Sequence, residues 1–310
     1  MIRPPFLRNG STIALLSTAR FISPEELERP MELLRSWGLN VICAPGIFQR
    51  ENQFAGTDTS RLNDLQWALD SRDIDAVLCV RGGYGTVRIV DDVDYTAFMK
   101  KPKWIAGYSD VTVLHNKLNQ ELGMCSLHTT MPISFATNTS QSLETLKKAL
   151  FGELNGYDLP PLEGDEFDRI DGELVGGNLS ILYSMLGSKS QLNTNNKILF
   201  IEDLDEMLYH LDRMLQALKR AGMLDGLKAL LVGGISDMRD NTKVHGFDKD
   251  NPYGQTAKEI IAAACSEFDF PVLFDFPAGH TKDNRALVLG GRISLRNKER
   301  FTLKFTDSFE

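Results

Sequence analysis

Ser109 lies where a serine could act as a nucleophile, between an apolar run that predicts a strand (104–107) and a segment with helical spacing. Such a turn presents the hydroxyl at the edge of a sheet, and the helix start offers backbone N–H groups and the positive end of the helix dipole. The local sequence also fits a simpler role, in which Ser109 or Asp110 caps the helix. The G-x-S-x-G elbow of α/β-hydrolases is incomplete because position 111 is Val111, which argues against that fold.

A carboxylate and an imidazole that could assist such a serine follow two later strands. Glu202 and Asp203 come directly after the apolar run 198–201, where an acid could orient an imidazole as in a catalytic triad. A helix-capping acid fits the same local sequence. His280 lies in a Pro/Gly loop and is the best candidate for a general base among the five histidines. His128 follows another predicted strand and is a candidate substrate contact.

The segment Arg81-Gly82-Gly83-Tyr84-Gly85 is rich in glycine, so its backbone can approach a ligand closely and donate N–H groups to an anion. A tight strand-to-helix turn explains it as well. It lacks the third glycine of a dinucleotide-binding loop, and no Walker A sequence occurs. There is also no HExxH and no cluster of His and Cys at ligand spacing, so we expect no metal site.

The elements that position these residues alternate between strands and helices in the first half of the chain. Strands are predicted at 12–17, 40–44, 76–80, 104–107 and 124–127, with helices after Ser23 and at 60–69 and 111–122. This alternation implies a parallel sheet covered on both faces. We therefore predict that residues 1–139 form a doubly wound α/β domain, in which ligands bind beyond the carboxyl ends of the strands.

The second half predicts a separate, smaller α/β domain over residues 172–310. A linker is placed at 140–171, because 159–165 is turn-rich and strand-poor. Predicted strands then follow at 172–175, 197–201, 227–233, 271–276, 286–295 and 300–305, with helices at 205–221 and 253–267. The helix at 205–221 is long and amphipathic, so it must bury an apolar stripe.

Composition limits the function classes. The net charge of −8, with no local block of Lys and Arg, argues against a nucleic-acid partner. No stretch approaches the ~18 apolar residues of a membrane span, and the N-terminal segment lacks the apolar core of a signal peptide, so a cytoplasmic location is expected. The four cysteines are widely spaced and predict reduced, mostly core-packed thiols.

Five motifs taken together resemble the LD-carboxypeptidase family, also called murein tetrapeptide carboxypeptidases. They occur in the family's order over nearly the whole chain, and a sixth segment, 209–215, is similar to the family's Tyr-x-Ile-Asp-Arg helix. The five motifs are Arg81-Gly82-Gly83-Tyr84-Gly85, Gly107-Tyr108-Ser109-Asp110, the segment 172–180, Phe200-Ile201-Glu202-Asp203 and Ala278-Gly279-His280.

The resemblance implies a triad of Ser109, Glu202 and His280, with the serine on the N-terminal domain and its partners on the C-terminal one. The active site would then lie between the domains. The resemblance further implies an oxyanion hole formed by the backbone N–H groups of Gly83 and Asp110. The candidates for substrate binding are Arg81, Tyr84 and His128.

Members of this family act in the cytosol on recycled cell-wall peptides and release a terminal D-Ala after the L-centre of diaminopimelate or lysine. The resemblance therefore implies a serine carboxypeptidase that takes small muropeptides, forms a homodimer, uses no cofactor and has neither nucleic acid nor a membrane as partner. The amphipathic helix at 205–221 is a second reason to expect a homodimer.

One segment departs from the family pattern, because residues 127–132 (Leu-His-Thr-Thr-Met-Pro) replace the usual His-Gly-Pro. This loop could contact the ligand, so the substrate preference is left open. A related branch of the family cleaves peptidyl-nucleotide antibiotics with the same triad and is the alternative among enzymes. A non-catalytic muropeptide-binding protein is the alternative of another class, and the intact set of Ser109, Glu202 and His280 argues against it.

Overall fold

The first half of the chain forms a six-stranded sheet in the computed structural model, which describes residues 1–306. Five parallel strands lie in the order β2-β1-β3-β4-β5, and a sixth, β12, pairs antiparallel with β5. The strands are β1 (Thr12–Leu16), β2 (Asn40–Cys43), β3 (Ala76–Cys79), β4 (Trp104–Gly107), β5 (Ser126–His128) and β12 (Leu287–Leu289). The helices are α1 (Pro24–Ser36), α2 (Asp58–Asp70), α3 (Thr96–Lys100), α4 (Thr112–Asn116) and α5 (Ser140–Phe151).

The start of α1 illustrates how local sequence sets the element boundaries. Ser23 Oγ accepts a hydrogen bond from the backbone N–H of Glu26 at 3.3 Å, and Glu26 Oε2 accepts one from the N–H of Ser23 at 2.8 Å. Pro24 occupies the first helical position, where no N–H is needed. This is the capping box that the sequence predicts, and it directs the chain away from the end of β1.

The second half forms an eight-stranded mixed sheet in the order β6-β14-β13-β8-β9-β10-β11-β7. Its four central strands, β8 to β11, are parallel, and the outer ones pair antiparallel. The strands are β6 (Gly156–Leu159), β7 (Glu163–Gly164), β8 (Phe167–Asn178), β9 (Lys197–Leu204), β10 (Ala229–Ser236), β11 (Val272–Phe274), β13 (Arg292–Asn297) and β14 (Phe301–Phe305). The helices are α6 (Leu179–Ser184), α7 (Leu208–Arg220) and α8 (Ala257–Cys265).

The predicted α/β class with two sheet-based halves is confirmed, but two local predictions need correction. The run 286–295 is not one strand. Gly290 adopts a positive φ of 80°, and the turn that it makes separates β12 from β13, which belong to different sheets. Residues 140–171 are not an open linker either, since they contain α5, β6, β7 and the start of β8. The domain boundaries at 139 and 172 stay a prediction.

The apolar stripe of α7 packs inside its own half of the molecule. The residues of this stripe lie in one buried cluster with residues of β9, β10 and α8. The stripe consists of Leu211, Met214, Leu215 and Leu218. Burial of each such side chain contributes about 1.5–3 kcal/mol to folding. The stripe is therefore already covered, so the expectation of a homodimer rests on the family resemblance alone.

The four cysteines are unpaired and mostly buried, as the sequence predicts. Cys79, Cys125 and Cys265 are buried, Cys43 is half-buried, and all four are free thiols. Across residues 1–306, no helix is long and apolar enough to cross a membrane.

Candidate active site

Ser109 occupies a sharp turn at the carboxyl end of β4. Its φ is +62°, in the left-handed region that residues other than glycine rarely adopt. A short 3-10 turn begins at Ser109 and continues into α4, as the sequence predicts. Neither the 3-10 turn nor α4 has a side-chain cap, so the helix-capping role considered for Ser109 and Asp110 is absent here. A strained backbone that exposes a hydroxyl is a feature of functional turns.

The glycine-rich segment after β3 lies directly against this turn. A Cβ atom added to Gly82 would be 2.9 Å from Ser109 Cβ and 3.1 Å from Ser109 Oγ, closer than real Cβ contacts usually are. Gly83 has a φ of +115°, and a Cβ added there would be 2.6 Å from Cδ of Arg20. Glycine at 82 and 83 therefore lets the backbone of this segment approach the serine.

Asp110 fixes the segment in place. Its Oδ2 accepts a hydrogen bond from the backbone N–H of Thr86 at 2.9 Å, and Thr86 Oγ1 is 2.7 Å from Thr18 Oγ1. The side chain of Asp110 is buried, and burial raises its pKa. The acid thus joins the loops that follow β1, β3 and β4, while its backbone lies in the wall of the cleft.

Ser109 opens into a cleft of about 400 Å³ between the two halves of the chain. One wall consists of residues from the loops after β1, β3, β4 and β5. The opposite wall consists of residues at and just after the carboxyl ends of β8 and β9, together with His280. The lining residues are Arg20, Arg81, Gly82, Gly83, Tyr108, Ser109, Asp110, Met131 and Ile133 on the first wall, and Asn178, Ser180, Ile181, Asp203, Leu204, Asp205, Glu206 and His280 on the second.

His280 is held by Glu202 at the end of this second wall. Its Nδ1 lies 2.6 Å from Glu202 Oε2, and its backbone N–H donates to the same oxygen at 3.1 Å. The preceding Gly279 has a φ of +96°, and a Cβ added there would be 2.5 to 2.7 Å from the Glu202 side chain. Only glycine at 279 allows the histidine loop to lie this close to the carboxylate.

The electrostatics of the pair favour an ionised Glu202. Burial alone would raise the pKa of Glu202, which is fully buried, but the neighbouring His280 and His128 together outweigh it and leave the pKa well below its usual range. Burial alone would lower the pKa of His280, and the Glu202 carboxylate reverses this and raises it. Because Nδ1 faces an anion, it carries the proton, and Nε2 is the nitrogen left to act as base.

No hydrogen bond between Ser109 Oγ and His280 is present in the part of the chain that the structure describes. The ring of Tyr108, which precedes the serine, lies 4.8 Å from the His280 ring, centroid to centroid. Both residues line the one cleft. In free enzymes such catalytic contacts are often long and tighten when substrate binds.

His128 does not occupy the position predicted for it. It lies within β5, is 0 % exposed and packs edge-on against Phe200 with the ring centroids 5.0 Å apart. Its Nε2 is 4.0 Å from Glu202 Oε1, and neither ring nitrogen has a hydrogen bond. The prediction of a direct substrate contact is therefore wrong for this residue: β5 runs one residue further than predicted, which places the side chain in the interior.

The neighbouring His115 is a structural histidine. Its Nε2 lies 3.0 Å from the carbonyl oxygen of Gly107. Burial is the main cause that lowers the pKa of His115, to about 3, so the ring is neutral and its Nε2–H donates to that carbonyl. This bond holds the last residue of β4 just before Ser109.

Of the other substrate-binding candidates, Arg81 lines the cleft and Tyr84 does not. Arg81 donates to the carbonyl oxygen of Phe21 at 3.2 Å and lies 3.9 Å from Glu26 Oε1, so part of its hydrogen-bonding capacity is used. Tyr84 is exposed and packs against Phe54 outside the residues that line the cleft. It remains a candidate from sequence only.

Arg20 lines the cleft but was not singled out from sequence, whereas Asp203 was considered there only beside Glu202 as an acid that could orient an imidazole. Arg20 follows the end of β1, the same kind of position as the other site residues, but no motif marks it. Asp203 accepts hydrogen bonds from Asn178 Nδ2 and the N–H of Leu204, each at 2.9 Å, and from the N–H of Ser180 at 2.9 Å. Burial, followed by the charge of Glu202, raises the pKa of Asp203 to about 7.

The arrangement supplies the parts of a serine-dependent acyl transfer: a hydroxyl on a strained turn, an imidazole held by a buried carboxylate, and backbone N–H groups beside the hydroxyl. Among residues 1–306, no group of three or more His, Cys, Asp and Glu side chains is placed to hold a metal ion.

Comparison with known proteins identifies relatives over almost the full length. Residues 13–129 match the LD-carboxypeptidase N-terminal domain, and residues 171–295 match the LD-carboxypeptidase C-terminal domain. The chain is 32% identical over 306 residues to the probable murein peptide carboxypeptidase of Bacillus subtilis, which covers 96% of this chain and 92% of the relative.

Solved structures agree with this match. A muramoyltetrapeptide carboxypeptidase from Oxalobacter formigenes superposes with a TM-score of 0.83 at 27% identity, covering 96% of this chain and 99% of that one. A structure of MccF in complex with glutamyl sulfamoyl guanosine gives a TM-score of 0.87 at 20% identity, covering 99% of both chains. At that identity the second similarity shows a common fold.

Proposed function

Because the chain belongs to the LD-carboxypeptidase family and is a carboxypeptidase, we propose that it releases the C-terminal D-Ala from murein tetrapeptides. We also propose that the protein acts in the cytoplasm, where recycled cell-wall peptides are processed. We further propose that it forms a homodimer. Relatives named as murein peptide and muramoyltetrapeptide carboxypeptidases support the choice of substrate class.

The mechanism rests on the 2.6 Å contact between His280 Nδ1 and Glu202 Oε2. His280 and Ser109 line the same cleft. In this mechanism His280 Nε2 takes the hydroxyl proton as Ser109 Oγ forms a bond to the carbonyl carbon of the residue before D-Ala. The carbonyl π electrons move onto its oxygen. Glu202 holds the ring with the proton on Nδ1 and stabilises the imidazolium that forms.

The tetrahedral intermediate then collapses. The C–N bond breaks, the imidazolium gives its proton to the leaving nitrogen, and D-Ala departs as a free amino acid. A water molecule, deprotonated by the same imidazole, next attacks the acyl–Ser109 ester and regenerates the hydroxyl. A non-catalytic binding protein would not require an acid–base pair in this position.

The backbone N–H groups of Gly83 and Asp110 are the proposed donors to the oxyanion. Support comes from their place in the cleft wall on either side of the serine, and from the glycines that bring the 82–83 backbone against Ser109. One such donor typically lowers the barrier by about 2.7–4 kcal/mol.

Defined peptides test this function. The protein is incubated with tetrapeptides that carry either lysine or diaminopimelate before D-Ala, with and without EDTA, and products are identified by mass spectrometry. Release of D-Ala, lost in the Ser109→Ala variant and unaffected by EDTA, is the expected result. Tight binding without release would indicate the binding-protein alternative, and cleavage of a peptidyl-nucleotide in preference to both peptides would indicate the immunity-type alternative.

The assembly is tested separately by light scattering over a range of protein concentrations. A mass of twice the chain is expected. A mass of one chain at every concentration would contradict the homodimer and would leave the proposed chemistry untouched.

A further inference from the structure

Arg20 is a cleft-lining cation whose charged group has no partner among residues 1–306. Its backbone is fixed, because its N–H donates to the carbonyl oxygen of Gly82 at 3.4 Å and its own carbonyl oxygen accepts from Ser17 Oγ. The side chain is exposed and lines the cleft. Throughout residues 1–306, no hydrogen bond or ion pair engages its guanidinium group, although acidic residues line the opposite wall.

The side chain of Arg20 packs on Gly83, the residue next to Gly82, which lies against Ser109. A Cβ added to Gly83 would be 2.6 Å from Arg20 Cδ and 2.8 Å from Arg20 Nε, whereas a Cβ added to Gly82 would be 3.1 Å from Ser109 Oγ. Consecutive Cα atoms are about 3.8 Å apart. The aliphatic part of Arg20 therefore packs on the glycine adjacent to the one that touches the nucleophile, and its guanidinium continues from there into the cleft.

This spacing matches the substrate of an exopeptidase. In a peptide that loses one C-terminal residue, the terminal carboxylate lies one residue beyond the scissile carbonyl, about 3.8 Å along the chain. A guanidinium group binds a carboxylate through two parallel N–H donors. The other wall of the cleft carries Asp205 and Glu206, which pair with Arg239 and His210, and none of the described residues that line this wall is an arginine or a lysine. The carboxylate is therefore directed to the wall that contains Arg20.

Resting on the proposed function, we infer that Arg20 is the specificity-determining residue that binds the terminal carboxylate of the peptide and makes the enzyme an exopeptidase. Arg81, the other arginine of the wall, fits this role less well because its guanidinium already donates to Phe21 and lies near Glu26. Without Arg20, the terminal carboxylate of the peptide would have no cation to bind in the cleft.

A pair of substrates separates this role from a general effect on the enzyme. The value of kcat/KM is measured for the same tetrapeptide with a C-terminal D-Ala acid and with a D-Ala amide, which lacks the negative charge. The wild-type enzyme should prefer the acid. In Arg20→Gln, kcat/KM for the acid should fall about 10- to 100-fold, the loss expected for a charge-assisted hydrogen bond, while that for the amide changes little.

Three further variants make the result decisive. Arg20→Lys keeps the charge and should retain part of the preference, Arg81→Gln should retain the preference for the acid, and Arg29→Gln on the exposed face of α1 should match the wild type in both assays. Thermal unfolding of each variant checks that it is folded. If Arg20→Gln does not fold, the acid and amide assays are compared between the wild type and Arg20→Lys.

The outcomes separate a failure of the role inferred for Arg20 from a failure of the proposed carboxypeptidase activity. Equal loss of both activities in Arg20→Gln, or collapse of the preference in Arg81→Gln instead, would overturn the role of Arg20. Equal wild-type rates for acid and amide would also overturn it and leave the proposed carboxypeptidase activity standing. Cleavage of neither peptide by the wild-type enzyme would refute the proposed function itself.

Discussion

His280 donates two hydrogen bonds to a single carboxylate oxygen of Glu202, one from ring Nδ1 at 2.6 Å and one from its backbone N–H at 3.1 Å. The double contact fixes both the loop and the ring, so the carboxylate positions the base as well as polarising it. Since Glu202 is fully buried and lies within strand β9, its own position is set by the sheet.

The first prediction concerns Glu202→Gln. The Glu202 carboxylate raises the pKa of His280, so the acid limb of the wild-type kcat/KM profile should lie above about pH 6.5, the usual histidine value. Removing the charge stabilises the neutral imidazole, so the limb should move to lower pH. At its optimum, kcat should fall by about 10⁴-fold, the typical effect of replacing the acid of a triad.

Measuring kcat/KM from about pH 5 to about pH 9 checks this, with Glu144→Gln on the exposed face of α5 as control. A limb at the same pH in wild type and Glu202→Gln would show that this carboxylate does not control the base.

The second prediction concerns Ser109→Ala. Loss of the nucleophile in a serine triad lowers kcat by about 10⁶-fold, so turnover should become undetectable. The Ser109 hydroxyl makes no hydrogen bond in residues 1–306, so the free energy of unfolding should stay within about 1 kcal/mol of the wild type. Ser184→Ala, an exposed serine of α6, is the control and should keep full activity. Turnover by a folded Ser109→Ala protein would exclude the serine mechanism.

The third prediction compares two glycines with similar backbones. Gly279 has a φ of +96° and contacts Glu202, whereas Gly254 has a φ of +86° and open space where its Cβ would be. Alanine at either site should lower the free energy of unfolding by about 1–2 kcal/mol, the cost of a left-handed residue. Only Gly279→Ala should also displace the His280 loop, and a shift of about 1 Å there should lower kcat about 10²-fold.

Denaturant titrations and kcat values for both variants separate the two effects. Equal activity in Gly279→Ala and Gly254→Ala would mean that the close approach of residue 279 to Glu202 has no catalytic role.

Ser109, Glu202 and His280 could be selected from sequence as candidates because parallel strands end at one edge of a sheet. Ser109, Glu202 and His280 each follow a predicted strand, and the structure brings the serine and the histidine into one cleft. Local sequence could not show that the run 286–295 divides between two sheets, since strand pairing over long distances is not encoded locally. For the same reason local sequence could not predict the burial of His128, whose backbone pairs with Leu287 of β12.

Arg20 was missed for a different physical reason. An arginine after a strand is common, and the role proposed for Arg20 rests on its packing on Gly83, a contact between residues far apart in the sequence. Glycine at 83 was recognised as permitting close approach, but the partner in that approach can be identified only from the folded chain.

The fourth prediction concerns the pH dependence of stability. Because folding raises the pKa of Asp203 to about 7, the folded protein keeps a proton that the unfolded chain releases above about pH 4. The free energy of unfolding should therefore decrease as pH rises from about 4 to about 7, by at most about 1.4 kcal/mol per pH unit for one proton. The raised pKa of His280 acts in the same direction.

Urea titrations at several pH values test this with Asp203→Asn, which should be less stable but have a shallower pH slope, and with Asp225→Asn on the surface as control. An unchanged slope in Asp203→Asn would assign the pH dependence to another group.

The last prediction is stereochemical: a tetrapeptide ending in D-Ala should be cleaved and the same peptide ending in L-Ala rejected. Inverting the terminal α-carbon exchanges the directions of its methyl and carboxylate groups. With the carboxylate bound at the wall of Arg20, the L-peptide must either turn its methyl against the cleft or leave the anion unpaired near the acidic wall.

The size of the preference identifies which of these occurs. A misplaced methyl group is worth roughly 10- to 200-fold in kcat/KM, whereas an unmet polar contact can reach about 10⁴-fold. A large ratio in the wild type that falls to the lower range in Arg20→Gln would attribute the selectivity to the carboxylate contact. A small ratio that this variant leaves unchanged would attribute it to the shape of the cleft. Comparable kcat/KM values for both peptides would contradict the LD specificity even if Ser109 is the nucleophile, because the cleft would then not sense the configuration of the terminal residue.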